Sequence, residues 1–198
     1  MTLAGYFRGD FTTRDQTEQL PDISKVRVHQ HTIQIRNSKL SGDELFKQLT
    51  WLPGFPGRVA GRPARPGRTL TFSLPFPFNL GQVPFQVRIR NYDPGTHLFS
   101  AVTLAGHPIT GYRFWRVFEL DNGDWVVQTG ALEHPTRLPD LVKDSWLGGH
   151  SAAMGFWRSM LLRMLELSGG DRVTNTVYDR VEGVDDPGRR DEFLQYVQ

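Results

Sequence analysis

Four side chains near the middle of the chain have the types needed to move or stabilise charge: His107, Tyr112, Arg116 and Glu133. His107 sits in Ala105-Gly106-His107-Pro108, where the following proline favours an extended backbone. A loop imidazole at the mouth of a cavity can act as a general base. Arginine can polarise a carbonyl or anchor an anion, and a nearby tyrosine or glutamate can give or take a proton. The residues among them are aromatic, with Phe114, Trp115 and Phe118 in one short run. That combination suits proton transfer beside a hydrophobic ligand, with catalysis by positioning and no cofactor.

These side chains need a hairpin to hold them. Residues 112–120 and 125–133 alternate in polarity around Asp121-Asn122-Gly123-Asp124, and Asn-Gly between alternating runs is a strong hairpin signal. A two-residue turn at Asn122-Gly123 would set Phe118 opposite Val127, Arg116 opposite Thr129, Phe114 opposite Ala131 and Tyr112 opposite Glu133, all on one face. The other face would carry Arg113, Trp115, Val117 and Glu119 with Leu132, Gly130, Gln128 and Val126. The first face is the more apolar and is expected to point inward. Its polar members then form either a site or a buried Arg–Glu or Arg–Tyr pair that satisfies only itself.

The remaining elements follow from periodicity and caps. Lys25 to Asn37 alternates as a strand and puts His29 and His31 on one side. Such a pair can begin a metal site, but no third ligand is marked, so no metal is expected. Ser41 and Glu44 form a capping box ahead of Leu45, Phe46, Leu49 and Leu52, and Pro53-Gly54 stops that helix. Residues 53–68 read as a mobile loop bearing Arg58, Arg62, Arg65 and Arg68, able to lid a cavity. No aromatic residue is interleaved with these arginines, so a nucleic-acid stacking platform is not expected. Strands are expected near 68–74, 85–91 and 97–104, and a short helix or turn at 138–147. The longest helix runs from about Ser151 to Ser168, with Met154, Trp157, Leu161, Met164 and Leu165 as its apolar stripe and Gly169-Gly170 as its stop. Residues 1–24 read as an arm, and residues 171–198 as a charged tail with a short helix at 190–197.

The chain has 198 residues, enough for one domain with a sizeable core, here placed at 25–168. Aromatics at 12% can line a cavity, and the 20 glycines and 13 prolines suit a turn-rich β protein. The formal net charge of +2 is too small for a nucleic-acid footprint. There are no cysteines, which excludes disulfides, thiolate zinc sites and cysteine nucleophiles. The first residues lack the apolar stretch of a signal peptide, and no segment approaches the roughly 20 apolar residues of a membrane span. A cytoplasmic monomer or homodimer is expected. Nucleophile-elbow, P-loop and Rossmann patterns are absent. The order of elements predicts an α+β fold, a curved antiparallel sheet wrapped around one long C-terminal helix, with a ligand cavity between them. Phe114, Phe118, Thr129, Phe156 and Trp157 are the expected ligand-binding walls.

Residues 103–120, Thr-Leu-Ala-Gly-His-Pro-Ile-Thr-Gly-Tyr-Arg-Phe-Trp-Arg-Val-Phe-Glu-Leu, resemble the bacterial domain-of-unknown-function family DUF-1990. Gly106, His107, Pro108, Gly111 and Phe114 carry over, while acids usual in that family are replaced by Ile109, Tyr112 and Arg113. The resemblance implies the helix-grip, START-like superfamily, which includes polyketide aromatase/cyclases and carriers of hydrophobic ligands. The expected function is binding of a hydrophobic, polyketide-like molecule by a cofactor-free cyclase, lyase or isomerase of secondary metabolism. A non-catalytic carrier or sensor, or an interaction domain with a filled core, are the alternatives.

Overall fold

A computed structural model describes residues 18, 20, 27–55, 58–75, 82–107, 109–135, 155–173, 177–179 and 187–197. The expected helix or turn at 138–147, and all of the expected arm but Glu18 and Leu20, lie outside them. The alternating segment at the start becomes β1, Arg27–Arg36. Ile33 and Ile35 enter one apolar cluster and Val28 enters another, so the strand separates two cores by its pleat.

The capping box forms as the spacing requires. Ser41 N–H donates to Glu44 Oε2 at 2.8 Å, and the Glu44 backbone N–H donates to Ser41 Oγ at 3.4 Å. It opens α1, Gly42–Leu49, which buries Leu45, Phe46 and Leu49. The helix starts on glycine for a steric reason, because a Cβ at Gly42 would strike the Trp125 ring. It stops before Leu52, which is buried with a left-handed backbone.

Six more strands follow: β2 Arg58–Ala60, β3 Thr69–Pro75, β4 Gln82–Asp93, β5 Leu98–Thr103, β6 Ile109–Glu119 and β7 Trp125–Pro135. The expected loop at 53–68 is therefore partly strand and turn. Arg62 donates to the carbonyls of Val59 and Trp51, Arg68 donates to the carbonyl of Gly61, and Ala64 is buried. Two of the four loop arginines thus hold backbone.

Helix α2 spans residues 155–168. It buries Met160, Leu161 and Met164 against Ile33, Ile35, Val117 and Val127. Its C-terminal end is tied to the chain after β1, where Lys39 N–H donates to the Ser168 carbonyl at 2.8 Å. The charged tail holds the short helix expected near 190–197, together with two short strands that were not expected. It contains β8, Asp171–Arg172, β9, Val177–Asp179, and helix α3, Pro187–Val197.

Among the described residues, nine strands form one antiparallel sheet in the order β2-β3-β4-β5-β6-β7-β1-β8, with β9 also paired to β1. Neighbours are sequential from β2 to β7, and β1 closes the row beside β7. One face receives α1 and α2. The opposite face receives α3, whose Phe193 and Val197 pack with Val28, Leu98, Phe114 and Leu132. The gripped helix is therefore α2, and the last helix of the chain lies on the back of the sheet.

Candidate functional site

The β6–β7 hairpin decides which side chains can reach a ligand. Its loop is three residues, Asp121-Asn122-Gly123, and not two. Leu120 N–H donates to the Asp124 carbonyl at 2.9 Å, and Gly123 N–H donates to the Leu120 carbonyl at 2.8 Å. Gly123 takes φ 81°, the left-handed residue that closes a three-residue hairpin. Phe118 consequently pairs with Val126, Arg116 with Gln128, Phe114 with Gly130 and Tyr112 with Leu132. A slip of one residue exchanges the faces of one strand relative to the other.

The face beneath α2 carries Arg113, Trp115 and Val117 from β6 and Val127, Thr129, Ala131 and Glu133 from β7. From β1 it carries His29 and His31, which pair with Ala131 and Thr129. The hairpin end of this face is closed by apolar side chains from α1 and α2. The far end is polar. Glu133 Oε1 lies 3.1 Å from His29 Nε2, and its Oε2 lies 3.7 Å from Arg113 Nη2. Arg113 Nη1 donates to Thr129 Oγ1 at 3.3 Å, and its guanidinium lies 3.9 Å from the centre of the Trp157 ring. Thr129 in turn donates to the Phe114 carbonyl at 2.9 Å, which fixes its rotamer.

Burial gives this cluster its electrostatics. Desolvation pulls the Glu133 carboxyl up, but the hydrogen bond and charge of His29, together with Arg113 and His107, outweigh it and hold the group below its ordinary value. Glu133 is a carboxylate at neutral pH. Burial pushes the Arg113 guanidinium down to about 10, with Glu133 holding it up in part. Both side chains are less than one-fifth exposed, so their pairing is little screened.

Aromatic rings continue from this cluster. His107 meets Phe85 edge-on at 4.9 Å, Phe85 stacks on Phe72 at 5.4 Å, Phe72 meets Phe55 at 5.0 Å, and Phe55 lies 5.5 Å from Phe156. Trp157 meets Trp115 edge-on at 5.9 Å, and Trp115 stacks on Phe99 at 4.8 Å.

Of the residues singled out from sequence, His107, Glu133, Thr129, Trp157 and Phe156 lie with this polar cluster or its aromatic extension. Arg116, Tyr112, Phe114 and Phe118 do not. They share the back of the sheet, where the hairpin slip puts them. Arg116 donates to Gln128 Oε1 and to Tyr196 Oη, and its guanidinium covers the Phe118 and Tyr196 rings at 4.5 and 4.3 Å. Phe114 meets Phe193 edge-on at 4.9 Å. Gly130 leaves the room these rings need, since a Cβ there would collide with both. Arg116 therefore fastens α3.

Arg113, Trp115 and His29 take the places expected of other residues. The signal for the first two was the row Arg113-Trp115-Val117, which shares a face with Val127 once the loop is counted as three residues. His29 stands out in the sequence only as half of a His-x-His pair.

An antiparallel sheet packed against one long helix, with β1 beside β7, is the helix-grip arrangement. Solved structures place the chain there. The Zhui aromatase/cyclase from Streptomyces sp. R1128 superposes with a TM-score of 0.57 over 73% of this chain and 94% of its own, at 14% identity. A hypothetical protein from Helicobacter pylori gives a TM-score of 0.52 over 79% of this chain and 98% of its own, at 11% identity. At these identities the likeness establishes the fold and nothing finer. No protein-family model and no curated relative matches the sequence. Among the described residues, no helix is long and apolar enough to cross a membrane.

Proposed function

We propose that this chain binds a hydrophobic, conjugated small molecule between α2 and the inner face of its sheet, and acts on it as a cofactor-independent cyclase or related enzyme. The observation that carries the reading is the buried Arg113–Glu133–His29 cluster at the polar end of an inner face whose hairpin end is apolar. A face that only packed α2 would gain nothing from burying charge there, because replacing such pairs by hydrophobic residues is commonly neutral or stabilising. The aromatic extension through His107, Phe85, Phe72, Phe55 and Phe156 supplies walls for a ring system.

In this reading Arg113, stacked on Trp157, polarises a ligand carbonyl and stabilises the enolate that forms. The imidazoles of His29 and His107 carry protons. Glu133, held ionised, orients His29 and balances the charge an imidazolium would bring. Thr129 and Trp157 fix the arginine. The resemblance of residues 103–120 to DUF-1990 belongs to the same reading, as does a polyketide-like substrate. The shared fold of the Streptomyces aromatase/cyclase supports it as an analogy.

A non-catalytic carrier is the second reading, favoured by the fact that Arg113, Glu133 and His29 already partner one another. Native mass spectrometry of the purified protein, with extraction and identification of any bound molecule, tests both. A co-purified conjugated ketone that the protein converts supports the enzyme, and one it holds unchanged supports the carrier. An empty protein that shows no thermal shift with conjugated ketones contradicts both.

A further inference from the structure

Trp115 is 1% exposed and is among the largest fully buried side chains. Among the described residues its indole Nε1–H has no hydrogen-bond acceptor. A buried donor without a partner is destabilising, and such groups are uncommon enough in folded proteins to need a reason. The neighbours do not relieve it. Thr129, directly across the strand pair, donates to the Phe114 carbonyl and accepts from Arg113. Phe99 covers a face of the indole, and Trp157 meets it edge-on. Phenylalanine at 115 would keep the stacking and remove the orphan donor. The tryptophan therefore costs stability in the free protein, and a bound acceptor would recover it.

The position is suited to that use. Trp115 lies two residues along β6 from Arg113, on the same face, and under the part-buried Trp157. We propose that Trp115 Nε1–H is the anchor for an oxygen acceptor on the bound molecule, so that the grip selects ring compounds carrying a ketone-type oxygen over hydrocarbons of the same shape. This rests on the ligand-binding reading above and adds to it a specificity-determining residue and a chemical class of ligand.

The test compares two probes of matched shape, 2-acetylnaphthalene, whose carbonyl accepts a hydrogen bond, and 2-isopropenylnaphthalene, which has no oxygen. Each is titrated calorimetrically into the full chain and into Trp115→Phe. The expected result is a preference for the ketone in the unaltered protein that falls about tenfold in Trp115→Phe, the remainder coming from Arg113, while hydrocarbon affinity stays the same. Equal affinity of the unaltered protein for the two probes overturns the inference but leaves ligand binding standing. So does a ketone preference that is undiminished in Trp115→Phe. Failure of both probes to bind overturns the ligand-binding reading and this inference with it. Should Trp115→Phe not fold, the ratio of affinities in the unaltered protein still decides, because equality is fatal to the proposal.

Discussion

Arg113 and Arg116 stand three residues apart on one strand and do opposite work. Arg116 points to the back of the sheet, where Gln128 and Tyr196 take its hydrogen bonds and its charge lies over the rings that dock α3. Arg113 points under α2, where it meets a buried carboxylate, a threonine and the face of Trp157. The back cluster joins one element of the chain to another, and each of its polar groups serves that joint. The inner cluster joins no helix that the apolar core does not already hold. The lesson is that arginine beside aromatic rings is not in itself a site. What distinguishes the two clusters is whether the rings are needed to pack an element.

The difference can be broken first from the inside. Replacing Glu133 by Gln leaves the buried Arg113 charge without its counter-ion, and is expected to cost about 3 kcal/mol in urea unfolding. It should also abolish any turnover. If unfolding is unchanged, the cluster is more hydrated than its burial implies.

On the back, Gly130→Val drives a side chain into Phe114 and Phe193. The expected loss is about 2 kcal/mol, with cleavage by protease appearing in the α3 segment. Ligand binding should be spared, because the inner face is not touched. Arg116→Leu is gentler. Loss of its bonds to Tyr196 and Gln128 should cost about 1 kcal/mol and loosen α3, again without effect on binding.

The smallest effect sharpens the comparison through pH. Glu133 is held below its ordinary value of 4.5, so its contribution to stability is fully present above about that pH. It is lost as pH falls through the lower folded value. A plot of unfolding free energy against pH should therefore decline in the acid range, and Glu133→Gln should flatten part of that decline. An identical slope in the two proteins would show that Glu133 is not held low.

Much of the fold is legible in the chain. Alternation marks β1 and β3 to β7, the Ser41–Glu44 box marks α1, and the Trp157, Leu161, Met164 and Leu165 spacing marks α2. The back of the sheet is not legible in the same way. The segment 187–197 crowds its apolar residues Phe193, Leu194, Tyr196 and Val197 into its second half behind Arg189, Arg190, Asp191 and Glu192, so the sequence marks a short helix but not the face of the sheet, lined by Phe114 and Leu132, that it covers. The site is half legible for a narrower reason. Asn-Gly signals a hairpin, but it fits a two-residue turn or the end of a three-residue loop equally well. That single residue decides whether Arg113 or Arg116 faces the gripped helix. Thr129 and Glu133 stay on the inner face in either register only because the partner strand carries the slip.

The most direct measurement is the affinity of 2-acetylnaphthalene for the unaltered protein, Arg113→Leu and Arg116→Leu, titrated side by side with folding checked by circular dichroism. Arg113→Leu is expected to lose at least tenfold in affinity, and Arg116→Leu to match the unaltered protein. Weakened binding in Arg116→Leu with Arg113→Leu unaffected would contradict the inner-face site, and would return the site to the back of the sheet.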